Sequence, residues 1–451
     1  MIMYIYWPEQ VLDFDVNQAM QCSLKIETDG TMAGTTLKLR HAEQVDSAGS
    51  VVISNDLGNQ IDRTTFILGP TAGVQEFDTY FAYFGARFVE ISGWPGGSEP
   101  TTDSMICHFV HTALPRRSSI RFRSTPGDDT ATILNGVHDI TVRSALSNFM
   151  STPTDCPSRE KRGWTGDGQA AAETLIYNFD MSVNYPKWLG DIAHAQQCNF
   201  HAVGRNCSED APFCRVDGDG SGVPEITPYI FGGKLDGCSG DGDPAWSSGF
   251  IAIIDWVHRY YGDRQVLEQH YEGGKMYLEQ TLLPHVNTSA EGSSLLDLNY
   301  PNTHYGDWCA PLPFNGAVEG PSAGVGISAR HTSNIVNGFY WLKQLGIMAD
   351  AATTLRKDDD AEQWSTLAEA GASSFVDLYF DKTEGMFRDI ECSFLKKAEK
   401  KACHDQKVDS EMSVQTTQAL PLFLGLPAAP ADRKRTGNAL AVSTEATLTT
   451  T

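Results

Sequence analysis

The chain reads as an N-terminal β-sandwich followed by a domain built from helices. Three observations predict this division. At 451 residues the chain is longer than one ordinary core holds, so two domains are expected. Up to about residue 113, apolar residues fall in short runs with a period of two, rich in β-branched and aromatic side chains. From about residue 130 they recur three and four apart, the period of an amphipathic helix.

The strands come first. "SLKIETDG" alternates apolar with polar, and "TTLKLRHAE" alternates again after a Gly-containing turn. "TTFILG", "YFAYFGARFVEISGW" and "MICHFVHTAL" follow, separated by Gly, Asp and Asn turns, which suggests a sandwich over residues 1–113. Residues 114–129 ("LPRRSSIRFRSTPGDD") are basic and then turn-rich, and read as a linker. The helical domain is assigned to residues 130–440. In "AETLIYNFDMSVNYPKWLGDIAHAQQ" the helical stripe is Leu175, Phe179, Val183, Trp188, Leu189 and Ile192. "SSGFIAIIDWVHRYYGD" opens on a serine cap and stops at Gly262. Further helices are expected over 266–283, 327–346, 361–380 and 410–424, with Pro421 near the end of the last. Long Gly-rich segments, 200–246 and 285–326, separate them. Such connections fit a helical toroid whose loops carry the site better than a plain bundle. The threonine-rich end, 441–451, is expected to be disordered.

Composition excludes several functions. A net charge of −23 repels nucleic acid and anionic membranes and is compatible with a neutral ligand such as a sugar. No apolar run reaches the ~18–20 residues of a membrane span. Of ten cysteines, Cys198, Cys207, Cys214 and Cys238 cluster, and Cys392 and Cys403 are eleven apart. Disulfides and buried thiols both fit these spacings, and a CxxC zinc site does not. Asn206 and Asn287 begin glycosylation sequons. The start, "MIMYIYWPEQ", lacks the basic and apolar regions of a signal peptide, so either a cytosolic protein or a missing upstream segment is expected; the compartment stays open.

The stretch that carries chemistry is "DCPSREKRGWTGDGQ", residues 155–169, with Asp155, Glu160 and Asp167 around Trp164. Glycosidic hydrolysis needs a carboxylic acid to protonate the leaving oxygen, and a second carboxylate to activate water or attack carbon. An indole offers a platform for the apolar face of a sugar, and Gly163 and Gly166 let backbone approach a ligand. The same residues also fit a solvated loop whose carboxylates pair with Arg159, Lys161 and Arg162 at little gain.

"DCPSREKRGWTGDGQ" followed by "YNFDMSVNYPKWLGDIAHAQ" resembles the signature of glycoside hydrolase family 78, the α-L-rhamnosidases. "GTTLKLRHAEQVDSAGS" and "YFAYFGARFVEISGWPG" upstream are similar to that family's β-sandwich. "GVPEITP", "PAWSSGFIAIIDWVHRYYGD", "HYGDWCAP" and "QTTQALPLFLGL" downstream resemble its barrel segments. The resemblance implies an (α/α)6 barrel and an inverting hydrolase that removes terminal α-L-rhamnosyl residues from rhamnosides or polysaccharides. It puts Glu160 on the general acid, Asp155 and Asp167 on carboxylates that hold rhamnose hydroxyls, and Trp164 on an aromatic of the sugar pocket. Arg159 then sits beside the acid. Trp246, Asp307 and Trp308 fall on pocket segments, while core packing is the alternative for the two tryptophans.

The family's general base, a glutamate in a Trp-Glu segment, has no counterpart here. Only Glu445 follows Leu426, without a tryptophan beside it, so no base is identified. The chain is therefore expected to be truncated at both ends, with an incomplete barrel and impaired activity. A non-catalytic carbohydrate-binding protein and another exo-glycosidase on the same barrel are the competing readings. No cofactor is expected. "DGDGSG" places Asp217, Asp219 and Ser221 like the start of a calcium loop, but Pro228 stands where the bidentate glutamate belongs. His41 and His304 have no second ligand at metal spacing, and "LKKAEKKACHD" reads as a solvated basic face.

Overall fold

A computed structural model describes residues 10–52, 63–95, 99–101, 103–125, 127–203, 222–228, 242–287, 295–296, 305–307, 333–388 and 414–450. The chain divides into two compact units: Met1–Gly163 with Ala171–Met181, and Trp164–Ala170 with Ser182–Thr451.

The first unit is organised by one curled antiparallel sheet. Its strands are β1 (Gln10–Thr28), β2 (Thr36–Ala42), β5 (Arg63–Ile67), β6 (Gly73–Asp78), β7 (Phe84–Ser92) and β8 (Met105–Phe109). The short pair β3 (Gln44–Val45) and β4 (Val51–Val52) forms a separate ladder. β1 pairs with β7 along its first half and with β6 along its second, with a register shift between Asp13 and Gln18. Ser23 stands opposite both Asp78 and Ile106, so β6 and β8 flank β1 there. The alternation read from "SLKIETDG" is realised: Leu24, Ile26 and Thr28 are buried, and Lys25 and Glu27 are exposed. Leu24 and Ile26 join Leu12, Met20, Leu37, Leu39, Val89 and Ile91 in one apolar cluster. Burying such side chains contributes roughly 1.5–3 kcal/mol each. A disulfide between Cys22 and Cys107, on neighbouring strands β1 and β8, staples this cluster. Neither cysteine belongs to the clusters that drew notice in the sequence. β3, β4, β6 and the first half of β1 had no sequence expectation.

Residues 114–129 are strapped to the rest of this unit. Asp180 donates its N–H to Pro115 O, Arg117 donates to Asn178 O, and Arg116 lies over the Phe179 ring. Helix α1 (Thr130–Ser147) then leads into a tight hairpin, β9 (Phe149–Met150) and β10 (Thr152–Pro153), with Ser151 at φ 67° in its turn.

The expected single helical stripe over 175–192 is two helices, α2 (Thr165–Asn178) and α3 (Asn184–Val203). Pro186 explains part of the break, since proline has no N–H to donate and is tolerated only in a helix's first turn. Val183 lies in the break and is exposed, whereas Leu175, Phe179, Trp188, Leu189 and Ile192 are buried.

The second unit is mainly helices and irregular segments, with two short antiparallel pairs, Val286–Asn287 with Leu295–Leu296 and Phe380–Asp381 with Met386–Phe387. α4 (Ser248–Tyr261) ends on Gly262 at φ 68°, the left-handed stop expected from the sequence. The Ser247 side chain does not cap it; its hydroxyl donates to Val223 O instead. α5 (Arg264–Met276) starts on Asp263, whose carboxylate accepts from Val266 N, and runs into a wider turn at Tyr277–Leu282. α6 (Ser333–Leu355), α7 (Asp358–Tyr379) and α8 (Val414–Phe423) answer to the remaining expected helices, with Pro421 inside α8. α9 (Pro430–Thr450) corrects the expectation of a disordered tail over 441–451. Proline at its first position needs no N–H partner, and the alanines and leucines beyond it favour helix.

Candidate active site

In the first unit, residues 155–163 form a closed loop. Asp155 closes it at both levels: its N–H donates to Arg162 O at 3.0 Å, and its Oδ1 accepts from Arg162 N at 2.9 Å. Cys156 fills the middle. Its thiol donates to Asp155 Oδ2 at 3.0 Å, and Sγ accepts from Glu160 N at 3.2 Å. Burial, reinforced by the Asp155 carboxylate, pushes the Cys156 thiol up to about 11. Glu160 therefore sits where its backbone is tied to Cys156, and its side chain is half-buried like those of Asp155 and Arg159.

The loop rests on the sheet. Gly85 N donates to Pro157 O at 2.9 Å. A Cβ on Gly85 would meet Ser158 N at 2.6 Å, so only glycine allows this approach. Lys161, at φ 56°, turns its ammonium to Tyr83 O at 2.6 Å and over the Tyr83 and Phe84 rings. Partial burial lowers the Lys161 pKa, and burial pushes the Tyr83 phenol up to about 12.

In the second unit, the turn that starts α2 meets three irregular segments: 222–228, 242–247 and 305–307. Trp164 bridges to Ile226, and Thr165 donates its N–H and its hydroxyl to Glu225 O at 2.7 and 3.0 Å. Gly166 lies flat against the Trp246 indole, where a Cβ would come within 2.6 Å of Cγ. The Tyr305 ring touches both indoles, edge-on to Trp164 at 5.8 Å and tilted against Trp246 at 4.5 Å. All three rings are partly exposed.

Two buried acids lie under these rings. Asp243 Oδ1 accepts from Ala245 N and Trp246 N at 2.8 and 2.9 Å, and its Oδ2 accepts from Tyr305 N at 3.3 Å. Burial pushes its carboxyl up to about 6, against the pull of those N–H donors. Glu225 accepts from Asp243 N through Oε1 at 3.2 Å and from the Tyr305 hydroxyl through Oε2 at 2.8 Å.

The sequence-predicted residues thus fall into two groups. Asp155, Arg159 and Glu160 share the first-unit loop. Trp164, Asp167 and Trp246 lie in the second unit with the Tyr305 segment, Asp167 in the first turn of α2. Asp307 accepts from Thr416 Oγ1 of α8 at 2.5 Å. Trp308, His304, Asp217, Asp219, Ser221, Asn206, Cys207, Cys214, Cys238, Cys392, Cys403 and the basic stretch 395–405 lie outside the described residues. Glu225, Asp243 and Tyr305 were not singled out from the sequence. The only signal was their membership of "GVPEITP", "GDGDPAW" and "HYGDW", where their neighbours drew notice. Among the described residues no group of three or more His, Cys, Asp and Glu is placed to hold a metal ion, and no helix is long and apolar enough to cross a membrane.

Residues 129–450 match the family model of the bacterial α-L-rhamnosidase six-hairpin glycosidase domain. The chain belongs to this family. Residues 7–111 match the concanavalin-like domain of bacterial α-L-rhamnosidases, so both units have counterparts there. An α-L-rhamnosidase of Streptomyces avermitilis is 26% identical over 349 residues, covering 77% of this chain and 28% of the relative. One of Formosa agariphila is 24% identical over 360 residues, covering 79% of this chain and 32% of the relative. The chain thus spans about a third of the length of these relatives. Among solved structures, α-L-rhamnosidase from Dictyoglumus thermophilum is similar over 98% of this chain and 41% of that one, at 27% identity and a TM-score of 0.69. The Streptomyces avermitilis α-L-rhamnosidase, solved with L-rhamnose bound, is similar over 97% of this chain and 34% of that one, at 25% identity and a TM-score of 0.65.

Proposed function

We propose that this chain supplies the rhamnose-binding and proton-donating part of an α-L-rhamnosidase acting on rhamnose-containing glycosides. The observation that carries the reading is the family match over 129–450, with Glu160 half-buried in a loop closed by its own hydrogen bonds. The helices of the second unit are read as hairpins of an (α/α)6 barrel, and the curled sheet of the first as part of a β-sandwich. The family description supports both.

Roles are assigned residue by residue from the motif. Glu160 donates its proton to the glycosidic oxygen as the bond to the anomeric carbon breaks, so that the aglycone leaves as a neutral alcohol. Asp155 and Asp167 hold sugar hydroxyls, Arg159 sets the local field beside the acid, and Trp164 and Trp246 stack on the sugar's apolar face. Asp307 and Trp308 belong to the same assignment. Inversion requires water to enter from the opposite face, activated by a second carboxylate about 6.5–9.5 Å from the first. Asp243 and Glu225 are poor candidates for that base, because backbone N–H groups and the Tyr305 hydroxyl occupy their oxygens.

The test compares an aryl α-L-rhamnoside with a panel of other aryl glycosides. Weak turnover confined to the rhamnoside, with β-L-rhamnose as the first-formed anomer by NMR, is the expected result. Glu160→Gln should lower kcat by about 10²–10⁴ on poor leaving groups. The loss should be much smaller on a nitrophenyl leaving group, and equal losses on both would refute the acid role. The occupied oxygens of both buried acids favour a second reading, rhamnose binding without turnover. Calorimetry would then show L-rhamnose binding that Asp167→Ala abolishes and Glu160→Gln spares.

A further inference from the structure

We propose that Glu225 is a positioning residue, which holds Tyr305 as a spacer between Trp164 and Trp246 and so sets the width of the aromatic platform that receives the sugar. This rests on the reading that both indoles face rhamnose.

Little regular structure supports the platform. Trp246 and Tyr305 lie in irregular segments, and Trp164 in the turn before α2. Two buried acids, Glu225 and Asp243, connect them. Glu225 is 3% exposed. Through Oε2 it accepts from the Tyr305 hydroxyl, and through Oε1 from the backbone of Asp243. Asp243 in turn holds the backbone of Trp246 and of Tyr305. The carbonyl of Glu225 holds Thr165, next to Trp164. Each indole is thus at most one residue from a group hydrogen-bonded to Glu225 or to Asp243.

The Tyr305 ring contacts both indoles. A phenol anchored by its hydroxyl to a buried carboxyl group is held at its far end as well as at its backbone, which restrains the ring within the gap. A buried hydrogen bond left unmade costs more than the bond itself contributes, so the tether is costly to lose. Tyrosine suits the place because its ring is the spacer and its hydroxyl the tether. Phenylalanine would keep the first and lose the second.

The experiment uses the 451-residue chain labelled with 5-fluorotryptophan. Fluorine resonances of Trp164 and Trp246 are assigned through Trp164→Phe and Trp246→Phe. Tyr305→Phe and Glu225→Ala should each shift both resonances and weaken L-rhamnose binding by calorimetry at least about tenfold, the order expected when a buried polar group is left without its hydrogen-bond partner. Glu225→Gln keeps an acceptor for Asp243 N and an amide for the Tyr305 oxygen. It should restore affinity to within about threefold. Tyr305→Phe removes a single oxygen, which guards against a Glu225→Ala variant that fails to fold. Unmoved resonances in Tyr305→Phe would overturn the spacer role. Moved resonances with unchanged affinity would overturn its bearing on the sugar. A wild-type chain that binds no L-rhamnose would sink the functional reading, while the resonances would still decide whether Glu225 places the rings.

Discussion

Adding one methyl group at Gly85 should disable the acid loop from beneath. The Cβ of Gly85→Ala would stand 2.6 Å from Ser158 N, 2.7 Å from Pro157 C and 2.8 Å from Pro157 Cγ, whereas ordinary contact begins at 3.4 Å. Two of the three atoms are backbone and cannot rotate away. The loop must therefore recede from β7 by about 0.8 Å, or the strand must bend. Either movement stretches the 2.9 Å bond from Gly85 N to Pro157 O. Overpacking of this kind costs about 1–3 kcal/mol. Replacing glycine within a strand returns up to about 1 kcal/mol. A net loss of about 1–2 kcal/mol lowers Tm by a few degrees in a unit of this size. The larger effect is on the acid, since a displacement near 1 Å can cost about a hundredfold in rate. Thermal unfolding and kcat on an aryl rhamnoside with a poor leaving group measure the two effects. A Gly85→Ala chain with wild-type Tm and wild-type turnover would show that the loop does not lean on the sheet as described.

Gly166→Ala would drive a Cβ into the Trp246 ring, and Gly190→Ala would meet nothing within 4 Å; the first should weaken L-rhamnose binding about tenfold and the second should raise stability by about 0.5–1 kcal/mol, as read by calorimetry and urea unfolding. Asp243 supplies a pH signature. Its folded pKa lies near 6, above its ordinary value of 3.8, so the folded state holds the proton more tightly. The stabilisation this gives is present below pH 4 and is lost as pH rises through 6, by up to about 3 kcal/mol. Asp243→Asn should show a flatter stability profile between pH 4 and 7, and identical profiles would contradict the burial argument. Reducing the Cys22–Cys107 disulfide, which closes 85 residues, should destabilise the first unit by about 4 kcal/mol in denaturant titrations with and without reductant.

Period and punctuation carried much of the fold. Alternation revealed β2, β8 and the second half of β1, where apolar and polar residues take turns along the strand. β7 was legible as a nearly continuous apolar run that is buried on both faces, and β5 as a short β-branched and aromatic run. β6 escaped because none of its residues is buried and its sequence has no apolar row to read. The break between α2 and α3 escaped because the apolar spacing continues through it while Val183 points to solvent. At the candidate site, Glu160, Trp164 and Asp167 could be proposed from the sequence because they share one short motif. Glu225, Asp243 and Tyr305 were not, because their relation is spatial. They lie 18 and 62 residues apart along the chain and meet only through hydrogen bonds that no local pattern announces.

The placement of Cys156 makes the loop chemically readable. A thiol wedged between a carboxylate and an amide, and held protonated by a pKa about 11, offers almost no thiolate to an alkylating reagent at neutral pH. Parting of residues 155–163 would take the sulfur away from the Asp155 carboxylate and speed the reaction. The speed at which a maleimide consumes this sulfur therefore works as a clock for such parting, and an occupant that steadies the loop would slow it.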